Sequence, residues 1–337
     1  MRFEQMINRI IEGDCIELIK KIPSKSIDLV LTSPPYYKQR DWMGIGNEET
    51  PEAYLEKILG VFHECVRVTK DTGSIIFNLG DKYHEGSLLL IPYRFAIEAL
   101  RREKVKLINT ITWVKTNPTP RQFKRRLVQS TEPFFHFVKS DNYKFNLHAF
   151  MSEEARTERK RRMKNIGQRY FKLIEEAPLS EYEKEMAREE LKKVIEEVKE
   201  GKIKEFRMKI RGIHAPAFGG QEGGRKIQME KQGFTIIRIH GNSMKRDVIE
   251  CAVETLKGCP HPAVFPEFIV RELIKLTTDE GDIVLDPFMG SGTVAVAAKR
   301  LKRRFIGFEI NPEYCKYAEE RLKSVEENEK QRKLFDA

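Results

Sequence analysis

Cysteine and tryptophan are scarce in this chain, with five and two residues, and no long apolar run interrupts its charged composition. An odd, scattered set of cysteines is no disulfide framework and suits a reducing compartment, so a cytoplasmic location is expected. No stretch approaches the roughly 18 uninterrupted apolar residues of a membrane helix. The opening MRFEQMINRIIEGD carries acids early and lacks an apolar core, unlike a signal peptide. No internal repeat is evident. What the chain has in quantity is charge: a third of it is Asp, Glu, Lys or Arg, with a net charge of +10. That surplus favours a polyanionic partner, since each cation set near a phosphate releases a condensed counterion. Charge alone does not choose between DNA, RNA and an acidic membrane.

Short apolar runs alternate with helical spacing through the first 140 residues. IDLVL at 27–31 ends in a Pro-Pro turn, like a buried strand delivering a loop. Residues 51–70 place Tyr54, Leu55, Ile58, Leu59, Phe62 and Val66 on one helical face. SIIFNLG, NTITWVK (109–115) and PFFHFVKS (133–140) read as further strands, and about 91–103 as another helix. This alternation predicts an α/β fold, a doubly wound and mainly parallel sheet. From 151 to 210 the composition shifts to 17 Lys/Arg and 14 Asp/Glu in 60 residues, which breaks the rhythm and predicts a charged helical insertion. Within it, residues 181–199 form a helix with Ser180 and Glu183 at capping-box spacing. GGQEGGRK at 219–226 reads as a Gly-rich basic loop. The expected organisation is a catalytic half over 1–140, an insertion over 141–258, a cofactor half over 259–325, and a charged tail over 326–337.

Residues 281–300, GDIVLDPFMGSGTVAVAAKR, run from a strand ending in Asp286 through a glycine loop into an Ala/Val-rich helix. RRFIGFEI then makes a second strand ending in Glu309. Strand, glycine loop, helix, strand and acid form the plan of a nucleoside-cofactor site: the glycines admit the ligand close to the backbone, and the acid accepts from ribose hydroxyls. The loop lacks the Gly-Lys-Ser/Thr ending of a P-loop, which excludes a nucleotide hydrolase of that type. It also lacks the third glycine of the dinucleotide fingerprint, so a cofactor without a pyrophosphate fits better.

DPFMGSGT resembles the S-adenosylmethionine motif of amino-methyltransferases that act on DNA, and HPAVFPEFIVRELIKLTTDEGD resembles the segment preceding it in their β-class. The resemblance assigns Asp286, Pro287, Phe288, Gly290, Ser291, Gly292, Thr293 and Glu309 to the cofactor. It places Phe265 and Pro266 against the methionine part. Gly13 and Asp14, with Cys15 beside them, match the family's Gly-Asp pair near the adenine, although Asp14 reads almost equally well as an exposed turn acid.

TSPPYY (32–37) follows the strand IDLVL directly. An exocyclic base amine is a poor nucleophile because its lone pair is delocalised into the ring. Acceptors aimed at its two N–H bonds localise that pair and take up developing positive charge. The Ser33 hydroxyl and the Pro34 carbonyl fit those roles, Pro35 ends the strand, and Tyr36 offers an aromatic face to a base swung out of the helix. The order of motifs, catalytic before cofactor, is that of the β-class over roughly 7–145 and 240–325. In that family Ser before Pro-Pro-Tyr is typical of N4-cytosine enzymes, and Asp of N6-adenine enzymes. ITWVKTNPTP, followed by Glu132, resembles a segment near the target base; Trp113 and Lys115 belong to it, though Trp113 reads equally as a core residue.

The resemblance therefore implies a cytoplasmic, S-adenosyl-L-methionine-dependent methyltransferase for N4 of cytosine in double-stranded DNA. It further implies base flipping and a restriction–modification role beside an endonuclease acting on the same site. Adenine N6, an RNA substrate and a non-catalytic DNA-binding protein are the rival readings. C5 methylation needs a Pro-Cys nucleophile, and the chain has Cys259-Pro260 in reversed order. Cys251, Cys259 and His261 lack a fourth ligand, so no metal is expected. DNA contacts are expected from Arg121, Lys124, Arg125 and Arg126 beside the base pocket, and from Arg225, Lys226, Lys245 and Arg246 in the insertion, where Lys160, Arg161 and Arg162 are further candidates.

Overall fold

The apolar runs become strands, and all but two separate pairs join one sheet. The structure is a computed structural model describing residues 1–118, 123–151, 167–200, 202–203, 205–214, 222–239 and 245–335. In chain order the first strands are β1 (Arg9–Glu12), β2 (Ile27–Thr32), β3 (Thr69–Asn78), β4 (Tyr83–His84), β5 (Ser87–Leu88), β6 (Lys106–Lys115) and β7 (Thr131–Val138). They are followed by β8 (Glu205–Ile210), β9 (Phe234–Ile239), β10 (Val248–Cys251), β11 (Ile283–Asp286) and β12 (Arg304–Glu309). Eight of them form a sheet in the order β1-β12-β11-β2-β3-β7-β6-β10. Every neighbouring pair is parallel except those made by β7, which runs antiparallel to both β3 and β6. The expected mainly parallel α/β sheet is what the chain forms.

Two features of this topology position a site. From β2 the chain goes to β3 on one side, and from β11 to β12 on the other, so the strand order reverses between β2 and β11. Such a reversal opens a crevice at the carboxyl ends of the strands. The reversed direction of β7 then brings its first residues, Thr131 and Glu132, to the same edge as the last residues of β3 and β6.

The helix Pro51–Val68 starts where expected: Thr50 caps it, accepting from the Ala53 N–H at 3.1 Å, and Pro51 occupies its first turn. Its face of Tyr54, Leu55, Ile58, Leu59, Phe62 and Val66 is buried. Phe62 packs against Phe77, Phe95 and Phe137 with ring centroids 5.0–5.4 Å apart. Removing a ring from such a cluster costs about 3–5 kcal/mol.

The chain divides into two compact units, Met1–Phe150 with Arg246–Ala337, and Met151–Lys245. The Met151–Lys245 unit lies within the expected insertion over 141–258. Val248–Cys251 is an edge strand paired with β6, which a four-residue run could not announce by periodicity. The tail expected from 326 also begins inside a longer helix, Pro312–Phe335.

The Met151–Lys245 unit is mixed rather than helical. Helices Gln168–Glu176 and Glu181–Lys199 are present, the second with the Ser180–Glu183 capping box formed in both directions, at 2.8 and 3.3 Å. Beyond them β8 pairs antiparallel with β9. In EFRMKI the buried Phe206, Met208 and Ile210 alternate with polar residues, a period of two masked by the surrounding charge. Of the expected Gly-rich loop over 219–226, residues 219–221 lie outside the described residues and the rest is corrected: a helix spans Glu222–Gln232. Its two glycines fall in the first turn, and good helix formers follow them.

Candidate active site

β11 and β2 lie side by side, and their final residues touch. The Thr32 hydroxyl donates to Asp286 Oδ1 at 2.6 Å, and the Phe288 N–H donates to the same oxygen at 3.0 Å. Asp286 is buried, and this burial pushes its carboxyl up to about 7. The loop then turns through Gly290 and Gly292, both at positive φ. A Cβ on Gly290 would lie 2.9 Å from His261 Nε2, and one on Gly292 would lie 2.7 Å from the Ala318 Cβ. Only glycine fits either place. Arg321, which the sequence did not mark, donates to the Ser291 carbonyl at 2.7 Å and to Thr293 Oγ1 at 3.1 Å, fixing the loop from below.

Glu309 ends β12 with its carboxylate held by two backbone donors, the Gly290 N–H at 2.8 Å and the Asn311 N–H at 2.9 Å. Burial pushes this carboxyl up from its ordinary range. The carboxylate lines the cleft and can accept further hydrogen bonds from a ligand. The Gly13 N–H donates to the Glu309 carbonyl at 2.8 Å, joining the ends of β1 and β12. Asp14 caps the helix Cys15–Ile19 through the Ile16 N–H at 2.9 Å. The turn-acid reading of Asp14 thus has a definite form, and it still lines the cleft. Cys15 is buried, and its thiol is pushed up to about 12, so it stays neutral.

At the Ser-Pro-Pro-Tyr turn, Ser33, Tyr36, Asn78 and Glu132 share a polar ring. Ser33 Oγ is 3.2 Å from Asn78 Oδ1 and 3.3 Å from Tyr36 Oη. Tyr36 Oη is 2.6 Å from Asn78 Oδ1 and 3.0 Å from Glu132 Oε2. Burial and the neighbouring Glu132 hold the Tyr36 phenol well above its usual range, so it remains a neutral donor. Glu132 also pairs with Lys115, whose ammonium lies 5.0 Å from the Trp113 ring centroid. Trp113 is buried and donates to the Cys251 carbonyl at 2.9 Å. The Tyr36 ring is pressed against Gly80, where a Cβ would come within 2.4 Å of it. One ring face is therefore covered by backbone. The Pro35 carbonyl accepts from Tyr54 Oη at 2.9 Å, while Pro34 is buried at the cleft wall.

Both ends open into one cleft of about 940 Å³. Ser33, Pro34, Pro35, Tyr36, Asp14, Cys15, Phe265, Asp286, Pro287, Phe288, Gly290, Ser291, Thr293 and Glu309 line it. Pro266 and Gly292 do not line it; each is the N-cap of a helix behind it, Glu267–Thr277 and Thr293–Arg300. Phe265 stacks on Phe134, 5.6 Å away and tilted 13°. The wall over the glycine loop is aromatic: His261 packs on Tyr314 at 4.8 Å and against Trp42 at 5.9 Å. Burial lowers His261 to about 4, so the ring is uncharged at neutral pH. Neither Trp42 nor His261 stood out in the sequence as a wall residue, because each approaches from a distant segment.

Of the cations expected on DNA, Lys124, Arg125, Arg126 and Arg246 are exposed, and Arg126 lines the cleft. Lys245 is half-buried and donates to the Met151 carbonyl at 3.1 Å. Arg121, Lys160, Arg161, Arg162 and the side chains of Arg225 and Lys226 lie outside the described residues. Among the described residues no group of three His, Cys, Asp or Glu side chains could hold a metal ion. No described helix is long and apolar enough to cross a membrane.

A doubly wound sheet with an acid-lined glycine loop and a polar Ser-Pro-Pro-Tyr turn in one cleft defines the class: an α/β methyltransferase. Residues 27–320 match the DNA methylase family of N6 and N4 amino-methyltransferases, and the chain belongs to that family. The Orphan methyltransferase M.BamHII of Bacillus amyloliquefaciens is 31% identical, over 93% of this chain and 91% of its own. The Type II methyltransferase M.XycI of Xanthomonas campestris pv. cyanopsidis is 27% identical, over 97% and 93%. Among solved structures, the PvuII DNA methyltransferase (cytosine-N4-specific) superposes with a TM-score of 0.57 at 19% identity, over 93% of this chain and 85% of that one. TTHA0409 of Thermus thermophilus, complexed with S-adenosyl-L-methionine, gives 0.52 at 20% identity, over 94% and 93%. At these identities the structural likeness is one of fold.

The cofactor is S-adenosyl-L-methionine, and the residues present fit it. Three carboxyl groups, those of Asp14, Asp286 and Glu309, line the cleft and would face a ligand that carries ammonium and sulfonium groups, and uncharged rings attract cations. The glycine loop packs its backbone so close to His261 and Ala318 that no Cβ fits without displacing them, and Gly290 lines the cleft with bare backbone.

Proposed function

We propose that the protein methylates N4 of cytosine at a specific sequence in double-stranded DNA, as the modification enzyme of a restriction–modification system. The observation that carries this reading is the setting of Ser33. Its hydroxyl proton has two acceptors within the protein, Asn78 Oδ1 and Tyr36 Oη. With the proton given inward, the oxygen's lone pairs are left for an amine N–H. The Pro34 carbonyl takes the second N–H. Together they localise the amine lone pair and stabilise the charge that develops on nitrogen. S-adenosyl-L-methionine supplies an electrophilic methyl group when bound. Tyr36, held neutral, presents its uncovered ring face to the flipped base, and Lys115 and Glu132 fix the far wall of the pocket. The proton of the methylated amine leaves to water.

The occurrence of serine rather than aspartate before Pro-Pro-Tyr supports cytosine over adenine. Lys124, Arg125, Arg126 and Arg246 contact phosphates, and the Met151–Lys245 unit supplies sequence recognition. A Type II relative supports pairing with an endonuclease of the same specificity, whereas M.BamHII is named an orphan. The test is methyl transfer from labelled S-adenosyl-L-methionine to mixed-sequence duplex DNA, followed by nucleoside mass spectrometry. N4-methylcytosine is the expected product. N6-methyladenine would overturn the choice of base and keep the chemistry; label in RNA alone, or none at all, would overturn the reading.

A further inference from the structure

We infer that Leu127 is an aliphatic wedge that enters the base stack of duplex DNA where the target nucleotide has left it. This rests on the reading above, that the protein flips a base out of duplex DNA. Leu127 is 93% exposed, more than any other large apolar side chain among the described residues. A single exposed leucine is common on protein surfaces; what sets this one apart is its place between cleft-lining residues and after three cations. Its neighbours Arg126 and Val128 line the cleft, and Leu127 does not. It therefore stands at the rim, on the same segment that enters β7 and delivers Glu132 to the polar ring around Ser33.

The segment is held in place. The Arg126 guanidinium lies 3.9 Å from the Tyr83 ring centroid and 3.7 Å from that of Phe123. Tyr83 belongs to the β4–β5 hairpin, where its hydroxyl donates to the Gly86 carbonyl at 2.8 Å. A cation clamped between two rings sets the position of the residue that follows it. The charge around the wedge names the occupant: Lys124, Arg125 and Arg126 directly precede Leu127, and among the described residues none of them is paired with a carboxylate. Three consecutive cations followed by an exposed aliphatic tip match a phosphate backbone with an unstacked base step between the strands. Removing a base from the stack leaves an apolar gap, and an aliphatic side chain filling it offsets part of the unstacking cost.

The test begins with wild-type protein and mixed-sequence duplex DNA, to map the methylated sequence. That sequence is then built into two oligonucleotide duplexes, one with the target base paired and one with it mismatched, where extrusion costs less. Leu127→Ala should lower kcat/KM on the paired duplex by about 10- to 100-fold and on the mismatched duplex by far less. S-adenosyl-L-methionine affinity should be unchanged, and Leu127→Met should restore most of the activity. Equal losses on both duplexes, or no loss on either, would overturn the wedge while leaving the methyltransferase reading intact. Failure of the wild type to methylate any DNA would overturn that reading and the wedge with it.

Discussion

Tyr36 Oη lies 2.6 Å from Asn78 Oδ1, and both atoms lie within hydrogen-bond reach of the Ser33 hydroxyl. Tyr36 has one proton and two acceptors, Asn78 and Glu132. If it donates to Asn78, Ser33 can give its own proton to the Tyr36 oxygen or to the second lone pair of Asn78 Oδ1. If it donates to Glu132, Ser33 gives its proton to Asn78. Either arrangement leaves Ser33 an acceptor toward the cleft, which is the role an amine nucleophile requires. Asn78 itself is anchored by its amide, which donates to the Pro133 carbonyl at 3.0 Å.

Replacing Asn78 by alanine removes both the shared acceptor and the anchor. Turnover should fall by on the order of 10- to 100-fold, while S-adenosyl-L-methionine affinity, read by calorimetry, stays near the wild-type value. The buried partners left unsatisfied should lower stability by about 1–3 kcal/mol, measured by denaturant unfolding. Full turnover in this variant would dissociate the polar ring from the chemistry.

Ser33→Ala acts one step nearer the substrate. Loss of one transition-state acceptor should cost about 100-fold in kcat, with cofactor binding and folding intact, because the side chain is only half-buried and is small. Near-normal turnover would remove Ser33 from the mechanism.

The two loop glycines should separate binding from folding. In Gly290→Ala the new methyl meets the His261 ring, a side chain and not backbone, so that ring must shift; the protein should fold but bind the cofactor at least about tenfold more weakly. In Gly292→Ala the methyl meets the Ala318 Cβ and backbone of a packed helix. That variant should lose stability by about 1–3 kcal/mol or more. Thermal melts with and without S-adenosyl-L-methionine distinguish the two.

The parts of this molecule legible in the sequence are those whose signal is local. IDLVL-TSPPYY and IVLD-PFMGSGT each carry strand, turn and site residue within a dozen positions, and the sheet places them side by side as β2 and β11. What was not legible comes from pairing across distance. The antiparallel run of β7 brings Glu132 opposite Trp113 and within reach of Tyr36, and no periodicity states a strand's direction. Asn78 ends a strand whose pattern says only that it is buried. Arg321 belongs to a helix that looks merely charged, and the fold turns that one residue under the glycine loop. The strand β8 was hidden because its alternation is written in charged residues, and β10 because four residues are too few to show a period.

Asp286 makes the last prediction, because its environment changes when the ligand arrives. Burial pushes its carboxyl up to about 7, so the folded protein favours the protonated form. The sign follows from linkage: this group's contribution to stability is complete below the ordinary carboxylate range and is lost as pH rises through about 7. A positively charged ligand reverses that preference, since the ionised carboxylate attracts it. S-adenosyl-L-methionine affinity should therefore increase by up to about tenfold between about pH 6 and about pH 8, with proton release at the lower end seen as buffer-dependent calorimetric heats. In Asp286→Asn the side-chain oxygen can still accept from Thr32 and Phe288, so the loop should keep its shape while affinity drops and loses its dependence on pH. A variant that binds more weakly yet retains the wild-type pH profile would place the titration elsewhere, with Glu309, also pushed up by burial, as the next group to replace.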